Sequence, residues 1–427
     1  MPRVVVRDAS ADLKTDIAAV LDQFGGISSL VQDRPVLVKP NGVHFNPGQA
    51  TATGFLEALF GLLRDASLRR LFLMESCTAG NLTRVVFRVL GWDRLCRKYG
   101  VQPVYLDEGR TRPLRLPGET QPVQIPAFLY ERLIERRPEH FYLNVPRLKT
   151  HSMSHVTLGI KNQQGLLIPR DRMTDHNFQL GRRLVRILGR FRPDFTLVEG
   201  LTATIYGHFP LARDLKKSIV DTRVIIGGDD VVAVDTVGAR ILGYQTDEID
   251  HLRGAGEAGL GCADLAQIQV IGDLSRFRER YPYLPELQIP ESIRCIHGRE
   301  RACIQGCRGN TEMTIDLMVG DYGGRGGWNF ICGKGIAREE LAGLEGDFLI
   351  VGPCAAAEAG DHIKRTYPGR RVFIVPEHND LAAMSGKVAL LTRPKFWKML
   401  PLAPWTTLGL LLKARKNGLL ARLISPL

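Results

Sequence analysis

The stretch DFLIVGPCAAAEAGDHIKRTYPGRRVFIV, residues 347–375, decides the reading of the fold. Asp347-Phe348-Leu349-Ile350-Val351 and Arg371-Val372-Phe373-Ile374-Val375 are short apolar runs, and they bracket the helical segment Ala355 to Lys364. Two parallel strands require a crossover of this kind, so the stretch reads as one βαβ unit. Apolar runs that are continuous rather than alternating belong to strands covered on both faces.

Working outward, the same grammar fills the first 275 residues. Val36-Leu37-Val38, Leu71-Phe72-Leu73-Met74, Val104-Tyr105-Leu106, Phe141-Tyr142-Leu143, Thr196-Leu197-Val198, Val224-Ile225-Ile226 and Ile268 to Ile271 read as buried strands. Phe55 to Leu63, Val85 to Lys98 and Leu180 to Phe191 are amphipathic helical stretches between them. The expected fold class is α/β: a largely parallel sheet covered by helices, plus a smaller Cys-rich C-terminal α/β domain. A chain of 427 residues exceeds one ordinary core. The expected division is a domain over 1–275, a Pro-, Arg- and Tyr-rich linker over 276–291, a βαβ domain over 292–385 and a basic amphipathic tail over 386–427.

Composition narrows the function classes. Hydrophobic residues at 44% and charged residues at 24% are globular values. MPRVVVRDASADLK has no apolar core of a secretory signal, and no uncharged apolar run reaches the ~18 residues of a membrane span. The expectation is a cytoplasmic protein, with a peripheral position at the membrane as the alternative. The net charge is +12, and no acidic residue follows Asp380, whereas Lys387, Arg393, Lys395, Lys398, Lys413, Arg415, Lys416 and Arg422 do. Leu408, Leu411, Leu412, Leu419 and Leu420 beside those cations would suit a membrane surface, or a helix packed on its own domain. Nucleic-acid binding is not expected, because the basic residues are not interleaved with aromatics in a known module.

Asn144-Val145-Pro146-Arg147-Leu148-Lys149-Thr150-His151 follows a predicted strand directly, and ligands collect at the carboxyl ends of strands in parallel sheets. Lys149 and His151, with His155, Lys161 and His176 downstream, are therefore candidate catalytic residues. Burial of Lys161 would lower its pKa and make it a base or nucleophile. Lys39, Asn41, Glu75, Asn162 and Asp235 are candidate substrate-binding residues near other strand ends, and Glu199 is either another such residue or an ion-pair partner. The bland alternative is that the lysines reach solvent and the histidines satisfy local hydrogen bonds.

Several motifs are carried in order: Val38-Lys39-Pro40-Asn41, Glu75-Ser76, the 144–151 segment, Gly159-Ile160-Lys161-Asn162 with Gly165, Val198-Glu199-Gly200, and Gly228-Asp229 through Val234-Asp235. From about Pro35 to Asp273 the chain resembles the family named domain of unknown function 362. Some members carry ferredoxin-like iron–sulfur motifs, so the resemblance implies redox or cluster chemistry. This chain departs from the pattern at Asp230, where proline is usual, and it lacks a tandem C-x-x-C-x-x-C signature. Gly159-x-Lys161 with His176-Asn177 is also similar to the nickel-pincer lactate racemase family, where the lysine anchors the cofactor and the histidine binds nickel.

Of eight cysteines, Cys295, Cys303, Cys307, Cys332 and Cys354 fall within sixty residues. Thiolates converging from glycine-rich loops suit an iron–sulfur cluster, of the 4Fe-4S type; zinc is the runner-up, although C-x-x-C pairs are its usual spacing. Cys354 opens a helix after Gly352-Pro353, where the dipole favours a thiolate. The expected function is an iron–sulfur-dependent, redox-type enzyme acting on a small anionic or carbonyl-bearing substrate, with an electron donor such as a ferredoxin. A metal-dependent racemase or isomerase and a non-enzymatic iron or redox sensor are the alternatives.

Overall fold

The structure is a computed structural model that describes residues 1–46, 48–207 and 209–424. Its main sheet runs in the order Gln269–Ile271, Arg3–Asp8, Ile219–Gly228, Phe195–Thr204, Phe141–Val145, Val36–Pro40, Leu71–Glu75, Gln102–Tyr105. From Phe195–Thr204 to Gln102–Tyr105 every neighbouring pair is parallel, and Ile219–Gly228 is antiparallel to both of its neighbours. The period of two is visible in the packing. Val36, Val38, Leu71, Leu73, Phe141 and Leu143 enter one core with the helices Leu13–Asp22 and Thr53–Asp65. Leu37, Met74 and Tyr142, the residues between, enter a core on the opposite face with Leu129 and Ile187.

Two differences from the expected elements have local causes. The helix expected over Val85 to Lys98 is two helices, Thr83–Val89 and Trp92–Tyr99, because Gly91 at φ 76° ends the first. The residues after Pro146 form a strand, Arg147–His151, rather than a loop; it pairs with Phe195–Thr204 and with His155–Thr157. Pro146 supplies no amide hydrogen, so the ladder is interrupted there without ending the sheet.

The second domain is a parallel sheet, Ile293–His297, Trp328–Cys332, Asp347–Val351, Val372–Val375, with the crossover helix Pro353–Thr366 on one face. The helices Cys307–Asp316 and Leu381–Thr392 cover the other, so the boundary expected at 385 falls inside a helix whose Met384, Val388 and Leu391 are core. The two domains are joined by a forked ion pair in which Arg213 donates to both oxygens of buried Asp316 at 2.8 and 2.7 Å.

The C-terminal helix Pro404–Lys416 returns to the first domain and buries Leu410 and Ala414 against Leu82 and Val85. Trp405, Leu408 and Leu412 on the same helix remain exposed, as do Phe396 and Trp397 just before it. Among the described residues, no helix is long and apolar enough to cross a membrane.

Candidate functional site

The adjacent parallel strands Val36–Pro40 and Leu71–Glu75 end at one place beside Phe141–Val145, and Lys39 and Glu75 near their carboxyl ends form the floor of a cavity of about 100 Å³. Lys39 and Glu75 form an ion pair, Nζ to Oε1 2.7 Å, with side chains only 1% and 2% exposed. Glu75 is held further by the amides of Gly42 and Ser76, at 2.6 and 2.7 Å. Burial drives the Lys39 pKa down, and the Glu75 charge opposes that shift. Gly165 closes over this pair: a Cβ there would lie 3.0 Å from both Lys39 Nζ and Glu75 Oε1.

Lys149 and His151 project from one side of the strand Arg147–His151, because they are two residues apart. Lys149 Nζ donates to Asn41 Oδ1 at 2.7 Å and to the Gln49 carbonyl at 3.1 Å. It is fully buried, and desolvation, with the positive Arg147 and Lys161 nearby, holds its pKa well below the ordinary lysine value. Asn41 donates to Asn162 Oδ1 at 3.1 Å, and Asn162 donates to Asn144 Oδ1 at 2.8 Å, so a chain of amides links the strand ends.

Lys161 sits in the short helix Gly159–Asn162, and its amine donates to Gln164 Oε1. Desolvation, and then the Arg172 charge, lower its pKa to about 7. Asp235 fixes that helix without entering the cavity: its carboxylate accepts from the amides of Gly159 and Ile160 at 2.7 and 2.8 Å. Burial pushes the Asp235 pKa up to about 7 against the pull of those two amides. A Cβ on Gly159 would stand 2.6 Å from Val231 Cγ2 and 2.9 Å from Asp235 Oδ1, so only glycine permits this approach.

His176 reaches the cavity from the other side, its Nδ1 donating to the Gln305 carbonyl at 2.5 Å. Burial, with Lys161 adding to it, lowers its pKa to about 3, so the ring is neutral with its lone pair on Nε2. Asn310 and Leu381 bring the second domain into the same lining. Lys39, Asn41, Glu75, Lys149, His151, Lys161, Asn162 and His176 therefore meet around one cavity. His155 does not line it; its ring stacks on Tyr283 at 4.2 Å between centroids. Glu199 pairs with Arg147 at 2.6 Å, fully buried behind the strand that carries Lys149.

Sequence reasoning passed over Arg172. It is 6% exposed and donates to Ser76 Oγ at 2.6 Å and to the Cys77 carbonyl at 2.5 Å. Within Arg170-Asp171-Arg172 it resembles a solvated charge run; the preceding Pro169, opening a helix turn that buries one side, was the available signal. The Thr157 hydroxyl, across the strand pair from Lys149, is buried in the lining without a hydrogen bond to the described residues. Three lysine amines, one guanidinium and one carboxylate thus face a confined space, an arrangement that favours an anion or the oxygen of a carbonyl.

The five late cysteines divide. Cys295 lies mid-strand opposite Phe330, two residues before the strand end, and burial raises its thiol to about 12. Cys332 is fully buried at a strand end, its pKa also raised by burial. Cys303, Cys307 and Cys354 lie beyond the strand ends; burial raises the Cys303 and Cys307 thiols, and the Cys354 sulfur adds to both shifts. Cys307 Sγ is 3.9 Å from His378 Nδ1, and burial raises its pKa to about 11. Among the described residues, no three His, Cys, Asp or Glu side chains are placed to hold a metal ion.

Comparison with curated proteins and with solved structures finds no match to this chain. Residues 36–240 match one family model, and they contain every strand end that builds the floor of the cavity. The family matched over those residues is the one described as Domain of unknown function (DUF362).

Proposed function

We propose that the chain is an enzyme whose lysine-lined cavity binds a small anionic or carbonyl-bearing substrate, with Lys161 as its base or nucleophile. The observation that carries this reading is the burial of Lys39, Lys149, Lys161 and Arg172 around one space whose lining holds a single carboxylate among the described residues. Desolvating cations costs stability, and such arrangements concentrate at sites where their chemistry is used. Lys161, near half-protonated at neutral pH, can give or take a proton or attack a carbonyl carbon.

Pyridoxal phosphate, an anionic aldehyde, tests this. The amine adds to the aldehyde carbon and water leaves, and borohydride then delivers hydride to the imine and fixes the label. Labelling is expected at Lys161, rising with pH through a midpoint near 7 and absent from Lys161→Met. Label spread over surface lysines with no preference for Lys161 contradicts the proposal.

A second reading, an iron–sulfur cluster working with this cavity, is favoured by the grouping of Cys303, Cys307 and Cys354 beside His378. Backbone groups of Phe178 and Asn379 hydrogen-bond the first two sulfurs, as amides around such clusters do. Asn379 also donates to the carbonyl of His176 at 3.3 Å, which links this thiol group to the cavity wall. The thiols would have to move closer to share a centre. Protein purified without oxygen should then contain iron and sulfide in equal amounts, lost in Cys303→Ser and Cys307→Ser. A colourless, metal-free protein with pyridoxal phosphate labelling intact removes the cluster and keeps the cavity. Zinc without sulfide in the same preparation would favour the runner-up metal.

For the tail, the proposal is contact with an anionic membrane surface, supported by Trp397 and Trp405 at 72% and 82% exposure beside Lys395, Lys398 and Lys413. Cosedimentation with phosphatidylserine vesicles should fall roughly tenfold or more in Trp397→Glu/Trp405→Glu. Equal sedimentation of both proteins counts against it.

A further inference from the structure

The cationic cavity has a neighbour. Val43, Thr78, Asn310 and Leu381 line it and also line a second chamber of about 130 Å³. Two spaces sharing four lining residues are neighbours, and they differ in charge. The second is built from Phe45, Phe209, Leu317, Met318, Met399 and other uncharged residues; no lysine, arginine, aspartate or glutamate among the described residues lines it.

The titratable side chains in this lining are His44 and Tyr322. Burial lowers the His44 pKa to about 3, so its ring is neutral, and it lies over Phe45 at 3.9 Å and edge-on to Phe209 at 4.9 Å between centroids. Burial raises the Tyr322 pKa, so its phenol is neutral as well. The chamber has room for an apolar group about the size of benzene, and Thr78, Asn81, Asn310, Thr314 and Ser385 add uncharged polar groups to its lining.

From this pairing we infer that the substrate is an anionic amphiphile: a carboxylate- or phosphate-type head among Lys39, Lys149, Lys161 and Arg172, and an apolar chain in the chamber beside them. The inference rests on the cavity being a binding site, as proposed above, and adds the class of molecule. A purely polar substrate would leave the chamber without a role, whereas an apolar chain gains from leaving water there. The chamber also takes Met399 and Ile424 from the C-terminal segment that exposes Phe396 and Trp397. The same segment thus lines the chamber and presents apolar surface outside, which suits a ligand drawn from a lipid phase.

A chain-length series tests this on the full chain. Acetate, butanoate, hexanoate, octanoate and decanoate, below their aggregation thresholds, are titrated calorimetrically. Each buried methylene multiplies affinity severalfold, so decanoate should bind on the order of 100-fold more tightly than acetate, with the gain levelling off once the chamber is filled. Ser385→Phe, from a buried residue of the chamber lining, should reduce the decanoate advantage to less than about tenfold and leave acetate binding unchanged. Lys161→Met should weaken both ligands. Affinity that is flat along the series, with acetate still sensitive to Lys161→Met, overturns the amphiphile and leaves the anion site standing. Decanoate binding that ignores both substitutions lies elsewhere on the surface and overturns the inference too. Binding of neither acetate nor decanoate overturns the anion site itself. The wild-type series decides the matter even if Ser385→Phe does not fold.

Discussion

Glu75→Ala is expected to destabilise the protein by about 3–5 kcal/mol, the range found when one member of a buried ion pair is removed. Lys39 would be left 1% exposed with no counter-charge, and the Gly42 and Ser76 amides would lose their acceptor. Urea unfolding followed by circular dichroism measures the loss. The double variant Lys39→Met/Glu75→Ala should recover part of it, because the uncompensated charge is then gone. Glu75 is the carboxylate of the cavity lining, so its removal should also raise the affinity for acetate even as stability falls. A single variant within about 1 kcal/mol of wild type would mean that the Lys39–Glu75 pair is not buried as described.

The second large effect is a change in how stability depends on pH. Lys161 has a folded-state pKa near 7 against an ordinary value near 10.5. Below pH 7 both folded and unfolded chains hold the proton, and the full cost of burying the cation is present. Between the two values the unfolded chain keeps a proton that the folded chain has released, so stability rises with pH by up to about 1.4 kcal/mol per unit. From pH 7 to 9 this group should contribute a gain of about 2 kcal/mol. Lys161→Met should be more stable than wild type at pH 7 and should lack that gain. Lys39 and Lys149 act in the same direction, and the difference between the two proteins reports Lys161 together with its effect on Lys149. Parallel stability curves for the two proteins would exclude a depressed pKa. Binding runs the other way: anion affinity should fall as pH rises through 7, because the released proton takes a positive charge from the cavity.

The strands of the main sheet were legible because both faces are covered, which writes each strand as an unbroken apolar run. For the same reason the cavity floor was legible: Lys39, Asn41 and Glu75 are the first polar residues at the ends of such runs. What escaped depends on long-range packing. Arg3–Asp8 is an internal strand of the sheet, second from its edge, but its pairing partners lie more than 200 residues away. Arg172 looks solvated until Ser76 and Cys77 come over it. The cysteines looked like one set because they are close in sequence, whereas strand register puts Cys295 back inside the second sheet and Cys303, Cys307 and Cys354 beyond its edge. Sequence proximity orders residues along a strand or helix; it does not decide which of them share an end.

The claim beneath the rest is that Lys161 is a desolvated amine facing a space that receives an anion. Heteronuclear NMR of the Lys161 Cε and Nζ through a pH titration, alone and with saturating acetate or inorganic phosphate, observes that amine directly. The expected result is a midpoint near 7 in the free protein, moved upward by a bound anion that stabilises the charged form. A midpoint near 10, unmoved by either anion, would contradict it.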